Sequence, residues 1–231
     1  MSPPTYPRPI VDGTSAEPST RAERRERATA ATRASILDAA RARLLSEGYA
    51  NVSTRAVAEA AEVPLSQIHY HFGSKQQLIL ALLEAENTRL LERQRAMFGG
   101  PEPLWQQWDR ACDFLDEDIE SGYVRVLQEM IAAGWSDEDV ALHVREYVAG
   151  WLGLLADVAE REGHRLGGLG PFTPEEAATL LGLPFYGVES MVLLGFSADE
   201  VPGRSALRKV GSIIRAIEEG RAVTAGPEDS R

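Results

Sequence analysis

Large apolar side chains recur along most of the chain every three or four positions and nowhere in a sustained every-second pattern, which predicts helices and no strands. Between Ala28 and Ser46 the positions Ile36, Leu37, Ala40, Leu44 and Leu45 mark a first helix of about five turns, and Gly48 supplies its stop. Ser53 then stands at an N-cap ahead of TRAVAEAA, a stretch too short to be helical without neighbours. Val63-Pro64 breaks the chain. LSQIHYHF follows as a second short helix, with Pro64 near its first turn, where a missing N–H does no harm. Gly73-Ser74 ends it, and KQQLILALLEAENTRLLERQRAMF predicts a rod with Leu78, Leu82 and Leu83 on one side. At 1.5 Å per residue, some 20 residues span about 30 Å, enough to join two domains.

Beyond Pro101 the pattern stays helical. Trp105, Trp108, Cys112, Leu115 and Ile119 share one face, Tyr123, Leu127, Met130 and Ile131 another, and Val140, Val144, Tyr147, Trp151, Leu154 and Val158 a third. GHRLGGLGPF, residues 163–172, predicts a flexible loop, after which 174–196 and 204–219 form two last apolar helices. The fold class is all-α. The Pro-, Ser- and Thr-rich start predicts a disordered arm, residues 1–27, followed by a unit of residues 28–75, a helical body of residues 76–221 and a flexible tail, 222–231.

Composition narrows the function classes. The 231 residues are 44% hydrophobic, which suits a globular chain with a real core. No apolar run approaches the roughly 20 residues that cross a bilayer, and the start lacks the charged-then-apolar order of a secretory leader, so a cytoplasmic protein with no membrane partner is expected. A single cysteine, Cys112, excludes an internal disulfide and a multi-cysteine zinc site. The net charge of −11 discourages nucleic acid until it is divided along the chain. Residues 1–78 hold ten Lys and Arg against eight Asp and Glu, leaving fourteen against twenty-seven beyond. A weakly basic head on an acidic body permits DNA binding.

The densest chemistry is SQIHYHFGSK, Ser66 to Lys75. His-X-His suits a metal on a strand, but on a helix residues two apart diverge by about 200°. On a helix Ile68 and Phe72 face inward, and Ser66, Gln67, His69, Tyr70 and His71 spread over the outer face without converging on a metal; no metal is expected. Helix, short helix, tight turn, short helix is instead a helix-turn-helix arrangement, whose second short helix enters the major groove.

The stretch STRAVAEAAEVPLSQIHYHFGSK also resembles the signature of the tetracycline-repressor (TetR) family of bacterial transcriptional regulators: Ser53, Arg55, Val57-Ala58, Ile68, Phe72 and Lys75 match it. Glu62 replaces the usual turn glycine, Pro64 the usual serine and His69 the usual tyrosine. The resemblance covers about 45 residues, Ser35 to Lys75, and implies an N-terminal three-helix DNA-binding domain ahead of a helical ligand-binding and dimerisation domain. If Glu62 takes a left-handed backbone, the strain is about 1 kcal/mol over glycine. Gln67 is the candidate for reading a base, and Leu65 and Ser66 for a thymine methyl or a phosphate. His69, Tyr70 and His71 suit backbone contacts, as do Lys75 at the rod's N-terminus and Ser53 and Arg55 at the second helix. Arg55 in a surface ion pair is the plainer alternative. Arg21 to Arg27 either enter a flanking minor groove or form a solvated lead-in.

In the body, Trp105, Trp108, Cys112, Tyr123, Met130, His143, Tyr147, Trp151 and Glu189 are candidates to line an apolar ligand cavity, with plain core packing as the alternative. Leu181, Val188, Met191, Val192, Val210, Ile213, Ile214 and Ile217 carry more apolar surface than one thin domain hides, which predicts a homodimer through a four-helix bundle. An enzyme is disfavoured: no Gly-rich phosphate loop, no paired nucleophile and base, and four histidines in all. No cofactor is expected. The expected function is a repressor that binds a palindromic double-stranded DNA operator and is released by a small, largely apolar effector; the alternative is a helix-turn-helix regulator controlled by a protein partner.

Overall fold

The computed structural model describes residues 20–221, and what was expected of residues 1–19 and of the tail 222–231 lies outside the described residues. Among them are nine helices and no strand: α1 (Arg21–Glu47), α2 (Thr54–Ala60), α3 (Leu65–Phe72), α4 (Lys75–Phe98), α5 (Leu104–Ser121), α6 (Tyr123–Gly134), α7 (Glu138–Leu166), α8 (Pro174–Leu193) and α9 (Gly203–Glu218). The chain is all-α, an N-terminal helix-turn-helix followed by a helical C-terminal domain.

One boundary is corrected outright. Helix α1 begins at Arg21 rather than Ala28, so residues 21–27 are helical and do not belong to a disordered arm. The cause is a capping box: Thr20 Oγ1 accepts from Glu23 N–H at 3.2 Å, and Glu23 Oε2 accepts from Thr20 N–H at 2.8 Å. Two of the donors that a helix start leaves unpaired are thereby satisfied. A smaller correction falls at the other end, where α7 runs through Leu166, and only from Gly167 does the loop begin.

The short helices follow their local signals. Ser53 Oγ caps α2 by accepting from Ala56 N–H at 3.1 Å, and Ser74 caps α4 by accepting from Gln77 N–H at 3.1 Å. Between α2 and α3 the chain turns through Glu62, whose φ of 55° is the single left-handed non-glycine among the described residues. Gly73, at φ 77°, closes α3. At 24 residues α4 is about 36 Å long and runs from the head into the body.

Two hydrophobic cores result. The first joins Ile36, Leu44, Val57, Ile68, Phe72, Leu78 and Leu82 of the head to Val124, Met130 and Val140 of α6 and α7. The second gathers Trp108, Cys112, Leu115, Trp151, Phe185 and Leu207 from α5, α7, α8 and α9. Leu90, Ile119 and Tyr186 pack against both. Gly182 lets α8 lie on α7, since a Cβ there would stand 2.9 Å from Leu155 and 3.0 Å from Leu152. Pro184, inside α8, leaves the Leu180 carbonyl without its usual helical donor.

Candidate functional site

Two regions bear on function: the outer face of α3 and a cavity in the body. On α3 the inward pair is Ile68, with no exposure, and Phe72. Tyr70 is 72% exposed, and Ser66 and His69 are exposed with it. Gln67 and Leu65 are half-buried, Leu65 resting on the head core. His69 Nδ1 lies 3.0 Å from the Gly73 carbonyl, tying its ring to the end of the helix. His71 points sideways, into a crevice between head and body that it lines with Arg33, Gln77, His143 and Tyr147.

At the flanks, Ser53 caps α2, and Arg55 is exposed with no ion pair among the described residues, unlike the surface-pair alternative. Lys75 is half-buried: its Nζ donates to the Ala50 carbonyl at 3.2 Å and sits 4.9 Å from the centre of the Tyr49 ring. Its ammonium therefore staples the α1–α2 loop to α4 as well as lying at a helix N-terminus. Sequence reasoning missed the groove beside α3 formed by Arg21, Arg25, Thr29 and Arg33 of α1 with Tyr70. Spaced four apart, these α1 residues make one stripe, and Arg33 sits 5.1 Å over the Phe72 ring, so the stripe leads straight from the head. The signal that could have found it was Thr20-x-x-Glu23, which makes this segment a helix.

The body encloses a cavity of about 50 Å³ under the second core. Of the nine residues expected to line it, Trp108, Tyr123, Trp151 and Glu189 do. The other five are elsewhere. Trp105 packs beneath Arg215 at 4.6 Å near the start of α5, Cys112 lies within the second core behind the wall, and Met130 is wholly buried in the first core. His143 and Tyr147 line the head–body crevice instead. All five lie on helices that reach the cavity, Trp105 and Cys112 on α5, Met130 on α6, His143 and Tyr147 on α7, but at points along them where the helix meets other neighbours. Residues not anticipated complete the wall, among them Asn87 and Gln94 of α4, Asp118 of α5, and Phe185 and Tyr186 of α8.

The wall is aromatic and internally bonded. Phe185 meets Trp108 and Trp151 edge to face, with centroids 5.6 and 6.0 Å apart, and Trp151 meets Tyr186 at 5.2 Å. Trp108 Nε1 donates to the Leu207 carbonyl at 2.7 Å and Trp151 Nε1 to Gln94 Oε1 at 2.8 Å. Gln128 Nε2 donates to Glu189 Oε2 at 3.0 Å, and Ser190 Oγ donates to Gln128 Oε1 at 2.9 Å. Burial pushes Glu189 up to about 8, against the Gln128 hydrogen bond and helped by Asp118. Burial also raises Tyr123 and Tyr186 above the usual phenol range and the Cys112 thiol to about 11.

The expected dimer face is half hidden. Leu181, Val188, Val210 and Ile214 pack against the second core, and Met191 and Val192 are half-buried. Ile213 and Ile217 are exposed, and Leu180, Leu183 and Leu194 join them, Leu180 at 56% and Leu194 at 71%. No group of three or more metal-ligating side chains occurs among the described residues, and no described helix is long and apolar enough to cross a membrane.

Residues 36–82 match the family model described as "Bacterial regulatory proteins, tetR family". No curated protein sequence matches the chain. Among solved structures, Salmonella enterica GusR is similar at 23% identity, covering 79% of this chain and 94% of that one with a TM-score of 0.63. A TetR-family transcriptional regulator from Agrobacterium tumefaciens matches at 19% identity over 84% of this chain and 100% of its own, TM-score 0.65. A protein from Saccharomonospora viridis, solved in complex with choline, matches at 22% identity over 82% and 96%, TM-score 0.65. At these identities the likeness is one of fold.

Proposed function

We propose that this chain, whose residues 36–82 match the model of the TetR family of bacterial regulatory proteins, is a cytoplasmic, homodimeric repressor released from a palindromic operator by a small-molecule effector. Residues 28–75 read DNA in this proposal, and 76–221 bind the effector and the second copy. The observation that carries it is the course of α4. Its first residue, Lys75, lies beside the end of α3, and its second half supplies Asn87, Leu90, Gln94 and Phe98 to the cavity wall. One helix thus touches both candidate sites, the arrangement that coupling between two ligands requires. The exposed Leu180, Leu183, Leu194, Ile213 and Ile217 on α8 and α9 support a second copy as the partner of that face. Gln67, Ser66 and Leu65 are the base-reading candidates; Ser53, Arg55, His69, Tyr70, His71 and Lys75 serve the backbone. The S. viridis neighbour holds a small ligand in this fold, which supports an effector here.

A specific observation keeps the protein-partner reading alive: about 50 Å³ is far below the roughly 300 Å³ of an ordinary drug-sized pocket. The two readings separate in one experiment. Duplexes are selected from a random pool on the purified chain, and metabolite extracts and small-molecule libraries are tested for release. Selected duplexes with two-fold symmetry, bound by a dimer and released by a small molecule, are expected. Equal affinity for random and selected duplexes overturns regulation by operator binding, and release by a protein fraction alone overturns the effector.

A further inference from the structure

Two carboxylates reach the cavity wall, and only one of them has a countercharge. Asp118 is paired with Arg93 at 2.6 Å, and that guanidinium lies 4.0 Å over Phe114. Glu189 is 7% exposed, takes a hydrogen bond from Gln128 on Oε2, and makes no ion pair among the described residues; its one strong charged neighbour is Asp118, of like sign. A charge so enclosed is expensive unless paired. Around it stand aromatic rings, whose faces carry negative potential.

We propose that this cavity receives an organic ammonium ion, its charge against the Glu189 carboxylate and its apolar skeleton among the rings of Trp108, Trp151, Phe185 and Tyr186. An anion keeps Glu189 in its protonated form and finds no cation among the described residues of the cavity wall. A neutral apolar guest packs on the rings and leaves Glu189 protonated. An ammonium ion alone gains from both the carboxylate and the rings. The inference deepens the effector reading above and rests on it for its regulatory meaning. The cavity, about 50 Å³, has room for a few waters, so the guest must displace part of the wall. Helix α8 is where that is easiest: Pro184, next to Phe185, means that bending there breaks no bond to the Leu180 carbonyl.

Pairing also moves a proton. Empty, the site holds Glu189 protonated near neutrality, since burial raises it to about 8; an arriving cation favours the carboxylate, and the proton goes to solvent. Among the groups around it, Tyr123 and Tyr186 are raised further from neutrality, burial raises Asp118 against the pull of its partner Arg93, and Glu86, beside Tyr123, is paired with Arg41 and Arg89.

The test uses the full chain, with Trp108 and Trp151 as fluorescent reporters. Benzyltrimethylammonium and choline are titrated against 3,3-dimethylbutan-1-ol, the neutral carbon analogue of choline, on the wild type and on Glu189→Gln. The cations should bind more tightly than the alcohol by roughly 10- to 100-fold, the worth of a charge-assisted contact. Glu189→Gln, which keeps the shape and the Gln128 contact, should erase that preference. Calorimetry in buffers of differing ionisation enthalpy should show proton release on cation binding near pH 7 in the wild type and none in the variant. Equal binding of alcohol and cation, unchanged cation binding in Glu189→Gln, or no cation binding at millimolar concentration each overturns the proposal. DNA retention measured in parallel keeps the two readings apart. Cation binding with unaltered DNA affinity sinks the effector reading and leaves the ammonium site, whereas DNA release by neutral compounds alone does the reverse.

Discussion

The face of α3 and the cavity under α8 are built by different means. The first is assembled from neighbours in sequence: Ser53 starts α2, Glu62 and Pro64 make the turn, Gly73 ends α3 and Ser74 starts α4. Every step is a cap or a turn, decided within a few residues. The second draws its wall from Asn87 to Glu189, on helices that meet only when the body packs. A surface set by local chemistry keeps its own shape when the body shifts. A cavity set by long-range packing changes whenever one helix shifts. In the proposed regulator that asymmetry has a use: the constant part would meet the operator and the adjustable part the effector.

The largest effect should come from removing the anchor beneath the constant surface. Phe72→Ala is expected to lower stability by about 3 to 5 kcal/mol and abolish specific DNA binding, as read by urea denaturation and duplex retention. A variant that unfolds early yet still selects duplexes would show that α3 holds its shape without the core.

Next comes the pH response of the adjustable part. Folding raises Glu189 from 4.5 to about 8, so between those values the folded chain binds more protons than the unfolded one. Stability from this group is therefore full below about pH 4.5 and falls as pH rises to about 8. At about 1.4 kcal/mol per pH unit the loss from pH 5 to 8 is at most about 4 kcal/mol. Glu189→Gln should show a flatter curve over that range in denaturant midpoints. Parallel curves would mean that the carboxyl is solvated in the folded chain.

A third and smaller effect tests the reading roles. Gln67→Ala should relax preference at one position of each half-site, at about 1 to 3 kcal/mol for each base no longer read. Lys75→Ala should weaken all sequences alike and also lower stability, because its ammonium holds the Ala50 carbonyl and the Tyr49 ring. Selection profiles that change in the same manner for both would sink the division between base and backbone contacts.

The smallest concerns Thr20→Ala. Removing the capping box should cost about 1 kcal/mol and fray residues 21–27, seen as faster amide exchange confined to that segment. Affinity of the cavity for its ligand should not move.

What is legible in the sequence follows the same division. Ser53, Gly48, Pro64 and the span of α4 can be read directly, and the left-handed Glu62 can be anticipated from its place in the turn. Thr20 and Glu23 are equally plain but stand next to a run of Pro, Ser and Thr that suggests an arm. The cavity is half legible. A helical stripe identifies an apolar face but not its partner, so Trp108 and Trp151 lie on the cavity wall while Met130 falls into the first core and Tyr147 into the crevice. Gln94 is invisible for the opposite reason: a polar residue on a rod reads as solvated until Trp151 is seen donating to it. On α9 alternation around the helix hides which side faces out, so Ile214 and Ile213 group together in the sequence although one packs inward and the other does not.

The first core has a mechanical consequence. Because it runs without interruption from Ile36 through Leu82 into Val124 and Val140, the head is keyed to α6 and to the start of α7. Lys75 is the wrong place to look for a pivot. The fulcrum belongs where the two cores share side chains, at Leu90, Ile119 and Tyr186, roughly 15 residues and some 22 Å along α4 from Lys75. A lever arm of that length turns a rotation of about five degrees into about 2 Å at the recognition helix, comparable to the helix shifts that separate the two states of known switches. Spin labels on exposed positions of α3 and α7 would place that axis directly.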